Sequence, residues 1–455
     1  MKCPNLLKIL FILALSIIWA SPGLADSPLT LDKALREALK RNPEILARKY
    51  EVAASKERYR AERGKLFPQV NFIAQASRLS DAQAVVPIKG PGPFPAFSRD
   101  RYFFNLETLL PIYEGGRLRR RAKIAELAIA FKEGLSRQTA LDLLANVKDT
   151  FYLALYLEAL VSAREKTLAA LKDQEKEAEL RLKVGRIPPL DLMRIRTQVR
   201  AEEAALSAAK EALRRAKEAL SVLLGEPPRS DFRVAGTLEI KKLKLQKIDI
   251  EEALSCRPDI FAQRQAVRQA QEEIKLASGE HLPSLDLFAD YGRRAGSGLN
   301  DSEEVWEAGV RLRLNIFSGG TISARVAEAR SRALAERERL RLLELSARRE
   351  IADALSLIAQ AEEEVAHFEA ARATAKEAFR VESLKYRTGA GTVTDMLLAQ
   401  AAWAQAEADY LGARYRLAKA YVAYERATTL IARGWLKLEC WSTAKFEGKN
   451  SKAEK

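Results

Sequence analysis

A chain of 455 residues carrying 76 Lys and Arg against 61 Asp and Glu has a formal net charge of +15. That length leaves room for two or three ordinary domains, and such a charge taken alone points to an anionic partner. The basic residues are interspersed with acids along helix faces, as in Arg337-Glu-Arg-Leu-Arg341, which describes a solvated surface rather than a nucleic-acid footprint, and three widely spaced cysteines exclude a disulfide framework.

Residues 1–25 read as a secretory signal peptide. Lys2 and Lys8 supply its positive region, Leu6 to Trp19 its apolar region and Gly23-Leu-Ala25 a small-residue cleavage site. The mature chain then begins near Asp26, with no Cys there for lipid attachment and only Cys256 and Cys440 remaining. No later stretch reaches the roughly 20 apolar residues of a membrane-spanning helix. An exported chain of this kind is a soluble periplasmic or secreted protein, or a β-barrel of the outer membrane, and export excludes nucleic acid as a target.

Leu29 to about Gly64 has a helical pattern, with Thr30 placed to cap it. From Leu66 the period changes to two. Val70, Phe72, Ala74 and Ala76 alternate with Gln69, Asn71 and Gln75, as on a strand with one apolar and one polar side. A Pro- and Gly-rich loop (Pro87 to Pro95) follows. Tyr102, Phe104, Leu106 and Thr108 then alternate with Asn105 and Glu107, up to Pro111-Ile-Tyr-Glu-Gly-Gly116. From Arg117 to Val184 there are 68 residues without Pro and with a single glycine, Gly134. One straight helix of that length would measure about 102 Å, which suits a coiled-coil-like column rather than a globular core.

The column ends in Arg181-Leu-Lys-Val-Gly185-Arg-Ile-Pro-Pro-Leu-Asp191-Leu-Met193, a helix reversal. Helix resumes from Leu190 to Leu224 and stops at Gly225-Glu-Pro-Pro228; residues 229–248 complete a mixed linker, basic near its end. The series then begins again. Ile250 to about Leu282 is helical, and its Arg257-Pro-Asp-Ile260 echoes Asn42-Pro-Glu-Ile45. Leu285, Leu287, Ala289 and Tyr291 alternate with Asp286 and Asp290, and Trp306, Ala308, Val310, Leu312 and Leu314 with Glu307, Arg311 and Arg313. Asn315-Ile-Phe-Ser-Gly-Gly320 matches Pro111 to Gly116 at an offset of 204, and a second stretch of 68 residues, Thr321 to Thr388, contains neither Pro nor Gly. It ends in Ser383-Leu-Lys-Tyr386-Arg-Thr-Gly389-Ala-Gly-Thr-Val-Thr-Asp395-Met-Leu397, and a last helix runs from about Thr392 to Leu430.

Gly185 and Gly389 are 204 residues apart, as are Asp191 and Asp395. A repeated reversal at fixed offset marks a duplicated helical hairpin. Glycine ends a helix in the left-handed conformation without strain, and an Asp at the start of the next helix caps free N–H groups and faces the dipole favourably. The domains expected are a signal peptide (1–25), a first repeat (26–224, strands about 66–78 and 101–113, long helix about 117–184) and a linker (225–248). A second repeat follows (249–432, strands about 283–293 and 304–317, long helix about 321–388), and then a polar, disordered tail (433–455). The first strand-loop-strand unit is 11 residues longer than the second, the difference lying in its Pro-rich loop.

The strands have the length of outer-membrane strands, with Phe67, Tyr102, Phe103, Tyr113, Tyr291, Trp306 and Phe317 near their ends. A soluble sandwich would show the same alternation. Four strands cannot close, and open edges are not tolerated in lipid, so several chains must share one barrel. Its wet lumen would be lined by Gln69, Asn71, Gln75, Asn105, Glu107, Asp286, Asp290, Glu307, Arg311 and Arg313.

Leu29-Thr-Leu-Asp-Lys-Ala, the Phe67-Pro68 and Leu282-Pro283 strand openings, both Gly-Gly strand-to-helix junctions and both Gly-to-Asp reversals occur in one order, twice over. In this combination the chain resembles the TolC-like outer-membrane channel family over essentially all of residues 29–430. The resemblance implies an α+β membrane channel: a homotrimer whose shared twelve-stranded β-barrel continues as a long α-helical coiled-coil tunnel in the periplasm of a Gram-negative-type cell. It implies a passive exit duct for a tripartite efflux pump or type I secretion system. Its partners would be a periplasmic adaptor (membrane fusion protein), an inner-membrane transporter of RND, ABC or MFS type, and outer-membrane lipid.

The same resemblance puts the gate at the reversals. Asp395 matches one acidic ring position of the family's aperture, while the next acidic position is Leu398 here. Asp191 and Tyr386 match residues that hold the closed state through a cross-helix hydrogen bond. The family's arginine partner falls at Gly391, with Arg387 as a substitute in this chain. Gly185, Arg186, Gly389 and Gly391 form the turns expected to meet the adaptor.

No catalytic constellation is present in the sequence, and neither enzyme activity nor a cofactor is expected. The only histidines, His281 and His367, have no metal-ligand spacing, and three Met give no thioether cluster. The competing reading is a soluble periplasmic coiled-coil adaptor or structural protein without a pore, although such adaptors usually carry one hairpin rather than two.

Overall fold

The computed structural model describes residues 28–87, 90–91, 94–238, 249–299, 302–433 and 435. The expected signal peptide at 1–25, the basic end of the linker and, apart from 433 and 435, the expected tail lie outside the described residues. In chain order the elements are β1 (Leu29–Thr30), α1 (Leu31–Arg41), α2 (Pro43–Gly64), β2 (Gln69–Ala84), β3 (Phe97–Glu114), α3 (Arg117–Lys183) and α4 (Pro189–Leu223). They continue with β4 (Val234–Ala235), α5 (Ile250–Cys256), α6 (Pro258–Ser278), β5 (Ser284–Ala295), β6 (Glu303–Arg313), α7 (Thr321–Thr388), α8 (Val393–Ala427) and α9 (Leu430–Arg433).

Two stretches with a single helical pattern each break into two helices. Proline lacks the N–H for the helix ladder and drives the residue before it towards an extended conformation. Ahead of Pro43 and Pro258, Asn42 and Arg257 accordingly sit at ψ 125 and ψ 124. Asn42 turns its freed side chain to the Leu223 carbonyl, donating at 3.0 Å. Thr30 caps α1 by accepting from the Lys33 N–H at 3.4 Å.

The chain divides into two compact units. Among the described residues the first comprises 28–43, 142–238 and 353–426. In it β1 pairs with β4 in parallel, Leu29 opposite Val234. Leu157 and Leu160 of α3 pack on Ala209 and Ala216 of α4, where the small side chains let the helices close up. Polar links cross the same unit: Tyr415 donates to Asp149 at 3.0 Å, and Arg426 to Asp142 at 2.7 Å.

The second unit comprises the described residues of 44–141, 249–352 and 427–435. Leu254 and Ile260, on either side of the proline break, pack against Ala347 of α7. Arg257 is 5% exposed. It pairs with Asp259 at 2.6 Å and Glu350 at 2.8 Å, so a buried cation is fully compensated. Cys256, 2% exposed, is disulfide-bonded, a bond that widely spaced cysteines did not suggest. Gly134, inside α3, lies against α6: a Cβ there would stand 2.9 Å from that of Ala262.

The same unit contains an antiparallel four-stranded sheet in the order β2-β3-β5-β6. Its outer strands, β2 and β6, have no further partner strand among the described residues. β6 stops at Arg313, opposite Ser284, although the alternation continues in sequence. Pro283 precedes Ser284 and has no N–H to extend the ladder, so Ile316 and Phe317 are left 92% and 88% exposed.

Candidate functional site: two helix reversals and a polar sheet face

Both reversals are built alike. Gly185 takes φ 70 and Gly389 φ 77, positions where a side chain would be strained. Beyond α3, Arg186 N–H donates to the Arg181 carbonyl at 2.8 Å and Gly185 N–H to Leu182 at 2.9 Å. Beyond α7, Ala390 donates to Lys385 at 2.9 Å and Gly389 to Tyr386 at 3.2 Å. These are paired Schellman closures, which satisfy carbonyls otherwise left bare at a helix end.

The returning helices begin differently, and neither has Asp as its cap. Pro188 precedes α4 without a side-chain cap, and Asp191 lies in the first turn. At α8, Thr392 Oγ1 accepts from the Asp395 N–H at 3.1 Å and donates to Asp395 Oδ2 at 2.7 Å. Thr392 is thus the cap, in the Thr-x-x-acid spacing of a capping box, but Asp395 accepts its hydroxyl rather than its backbone N–H. That pattern was readable in the sequence.

A shared core holds the two reversals together. Leu171, Ala178, Leu192, Ile195, Val393 and Met396 are buried in one cluster, against which Tyr386 is packed. Over the Tyr386 ring stands the Arg181 guanidinium, 5.5 Å from its centroid, itself held by Glu177 at 2.5 Å. Burial pushes the Tyr386 phenol up, Arg181 offsets part of this, and the charge on Asp191 adds to it. No hydrogen bond joins Asp191 to Tyr386 among the described residues; Asp191 instead lies 3.9 Å from Arg194.

Arg387 folds back on its own helix, donating to Ser383 at 3.3 Å, and does not reach Tyr386. Arg181 from the facing helix occupies that place. Gly391 sits so close to the end of α7 that a Cβ would lie 2.9 Å from Lys385 Cβ, which leaves no room for a longer residue in this backbone. A second link joins the reversals where Arg194 donates to Thr394 Oγ1 at 2.7 Å. Arg186 and Asp395 are exposed at the surface. Arg181 and Arg194 escape a sequence reading because their partners are some 200 residues away.

In the sheet, register assigns the faces. Asn71 is opposite Glu107, Glu107 opposite Asp290, and Asp290 opposite Glu307, so these four share a face. Asp286 pairs with Arg311 and Ser284 with Arg313. With a period of two, Gln69, Gln75 and Asn105 fall on the same side, and Asn105 donates to Asp290 at 3.4 Å. All ten polar positions thus share one face. The opposite face is apolar and bare: Val70, Phe72, Trp306, Val310 and Leu312 are each at least 60% exposed. His281 ends a short 3-10 turn before β5, and His367 lies within α7; no group of three or more potential metal ligands occurs among the described residues.

A chain with this architecture has known counterparts. The profile of the outer membrane efflux protein family matches residues 34–226 and 250–428. The outer membrane efflux protein BepC of Brucella suis is 24% identical over 433 residues, covering 92% of this chain and 90% of BepC. Among solved structures, the CmeC outer membrane channel of Campylobacter jejuni superposes with a TM-score of 0.78 at 19% identity, over 93% of this chain and 89% of CmeC. The MtrE outer membrane channel of Neisseria gonorrhoeae, solved in its open state, gives 0.73 at 23% identity over 88% of each chain.

Proposed function

The chain belongs to the outer membrane efflux protein family, and on that premise we propose that three copies form one exit duct. It resides in the outer membrane and serves as the exit conduit of a tripartite pump. Each copy contributes its four strands to a shared barrel, with the apolar face towards lipid and the ten polar side chains inward. The observation that carries this reading is the sheet itself, bare and apolar on one face, polar on the other, with two unpaired edges that lipid does not tolerate. Twelve is an even strand number within the range of closed membrane barrels.

The duct is passive. An adaptor and an inner-membrane transporter supply the opening force, and the adaptor meets the turns around Gly185, Arg186, Gly389 and Gly391. The closed state is held by two links between hairpins, Arg181 on Tyr386 and Arg194 on Thr394. Asp395, exposed and repeated by threefold symmetry, forms a carboxylate ring at the aperture.

Two measurements test the reading. Extraction from outer membranes only by detergent is expected, and recovery in osmotic-shock fluid would instead favour a soluble adaptor. In planar bilayers the purified protein should conduct with a preference for cations, and Asp395→Asn should weaken that preference. Equal selectivity in both would remove Asp395 from the aperture.

A further inference from the structure

Helices α3 and α8 do not close up along their whole length. Tyr156 of α3 stacks on Tyr415 of α8, the ring centroids 5.6 Å apart and the planes 14° from parallel. About four turns nearer the reversal, Leu171 of α3 shares a buried cluster with Met396 of α8. Large side chains thus hold the two helices apart at both ends. Between them the facing positions carry alanine, Ala163 and Ala170 on α3, Ala404 and Ala408 on α8. The result is a recess of about 450 Å³, bounded on a third side by Glu202 of α4. That volume lies within the range of about 300–1,000 Å³ usual for small-molecule sites.

The charged groups of the lining are already engaged. Arg164 donates to the buried Glu202 at 3.2 Å, and Glu407 lies 3.6 Å from Arg372. The Thr167 hydroxyl donates to the Ala163 carbonyl at 3.2 Å. Trp403 differs. Its ring is stacked on Phe379 at 5.3 Å, which fixes it, while its Nε1–H is buried and has no acceptor among the described residues. Gln400 stands one helical turn before Ala404, on the stripe of 404, 407, 408 and 411 that lines the recess. It is 2% exposed, and among the described residues neither of its amide atoms has a partner. Gln174, one turn past Ala170 on the facing helix, likewise has a buried Oε1 with no donor among them. Buried polar groups are nearly always hydrogen-bonded. Three exceptions gathered at the reversal end of an apolar recess mark where the polar atom of a ligand belongs.

We propose that this recess binds an uncharged aromatic compound carrying a carbonyl-type hydrogen-bond acceptor. Its rings take the alanine-lined space, as apolar cavities take up aromatic molecules, and its oxygen accepts from Trp403 Nε1. A charged ligand is disfavoured, because the countercharges in the lining are already paired and a new buried charge would go uncompensated. The ligand touches α3 and α4 of one helical hairpin and α8 of the other. Binding therefore ties the two hairpins together and lowers the open fraction of the channel. The site stands apart from the duct reading above; its effect on opening rests on that reading.

Equilibrium dialysis of the purified full-length chain against coumarin and naphthalene tests the site. Both probes are uncharged fused rings, and only coumarin has an oxygen to accept. Coumarin should bind saturably, one molecule per chain. Ala404→Leu fills the recess and should abolish binding of both probes. Trp403→Phe keeps a ring but removes the donor, so it should weaken coumarin about five-fold and leave naphthalene unchanged. Should Ala404→Leu fail to fold, the contrast between the two probes in Trp403→Phe carries the test. Non-saturable uptake by the parent, undiminished binding in a folded Ala404→Leu, or equal coumarin affinity in Trp403→Phe overturns the site. In planar bilayers coumarin should lower the open fraction of the parent and not that of Ala404→Leu. Saturable binding with an unchanged open fraction overturns the tie between hairpins and leaves the site standing. A parent chain that binds coumarin but never conducts overturns the duct reading, and the effect on opening with it.

Discussion

Arg194 near the start of α4 donates to Thr394 Oγ1 in the first turn of α8, at 2.7 Å. The bond joins the two returning helices where each emerges from its turn. Asp191, one helical turn before Arg194 and 3.9 Å from it, steadies the guanidinium in that position. A hydrogen bond from a charged group contributes about 1.5–3 kcal/mol when shielded. The Arg194 side chain is 45% exposed, which lowers this to about 1 kcal/mol.

Replacing Arg194 by Ala is therefore expected to raise the open fraction of single channels by about five-fold per link, and Arg194→Lys should restore part of the closed state. Planar-bilayer recordings give this directly. No change in either variant would show that the two hairpins are held by their apolar core alone.

Tyr386 offers the Arg181 guanidinium a ring face and a hydroxyl. Tyr386→Phe keeps the face on which Arg181 rests and loses only the hydroxyl contact, so it should stay closer to the parent than to an Ala variant. Tyr386→Ala removes both that face and packing on the cluster that holds Leu192 and Met396; because Tyr386 is half-buried, the cost should be about 2 kcal/mol, below that of a fully buried aromatic. Thermal melting and channel recordings should both separate the two variants. A Phe variant as open as the Ala variant would return the role to the hydroxyl.

Gly134 offers a contest between two effects. Gly→Ala inside a helix gains about 1 kcal/mol of propensity. Here the new methyl would lie 2.9 Å from Ala262 Cβ and 3.1 Å from its Cα, and backbone cannot swing aside as a long side chain can. Overpacking of this kind typically costs about 1–3 kcal/mol. Gly134→Ala should lower the melting temperature, and a rise would show that α6 yields freely.

Alkaline stability is set in part by two tyrosines. Burial, together with Glu362 accepting its hydroxyl at 2.9 Å, pushes the Tyr421 phenol up to about 12. Burial and Asp149 raise that of Tyr415 as well. Each holds its proton more tightly in the folded chain than at the ordinary value of 10.0, so both contributions are complete below pH 10; that of Tyr421 is lost as pH rises through about 12, and that of Tyr415 at higher pH. Denaturation midpoints followed across that window should fall. Tyr421→Phe should flatten the decline, and an identical profile would assign the loss to other groups.

What the sequence makes legible is whatever depends on near neighbours. Alternation along Gln69, Asn71 and Gln75 or along Glu307, Arg311 and Arg313 is a local property, and register then joins those positions into one face. The absence of Pro and Gly from Thr321 to Thr388 corresponds to one unbroken helix. Pro43 and Pro258 echo one another in the sequence, and each also divides a helix because of what proline does to the residue before it. Arg181 over Tyr386 depends on how two distant helices are rotated about their axes, which composition and spacing do not encode. The β2–β3 hairpin is of the same kind: its extra length is visible in the sequence, but the register shift after Arg78 and the contact of Ser98 with Ser297 are not.

The unpaired edges of β2 and β6 also govern the order of events in biogenesis. A lone chain entering the bilayer would carry two rows of bare N–H and C=O groups into hydrocarbon, each costing several kcal/mol. Insertion of single copies followed by lateral assembly is thereby disfavoured. The copies must meet before or while they enter, so the rate of insertion should climb more steeply than linearly with chain concentration, and a cell that makes too little of this protein should lose duct activity out of proportion to the shortfall.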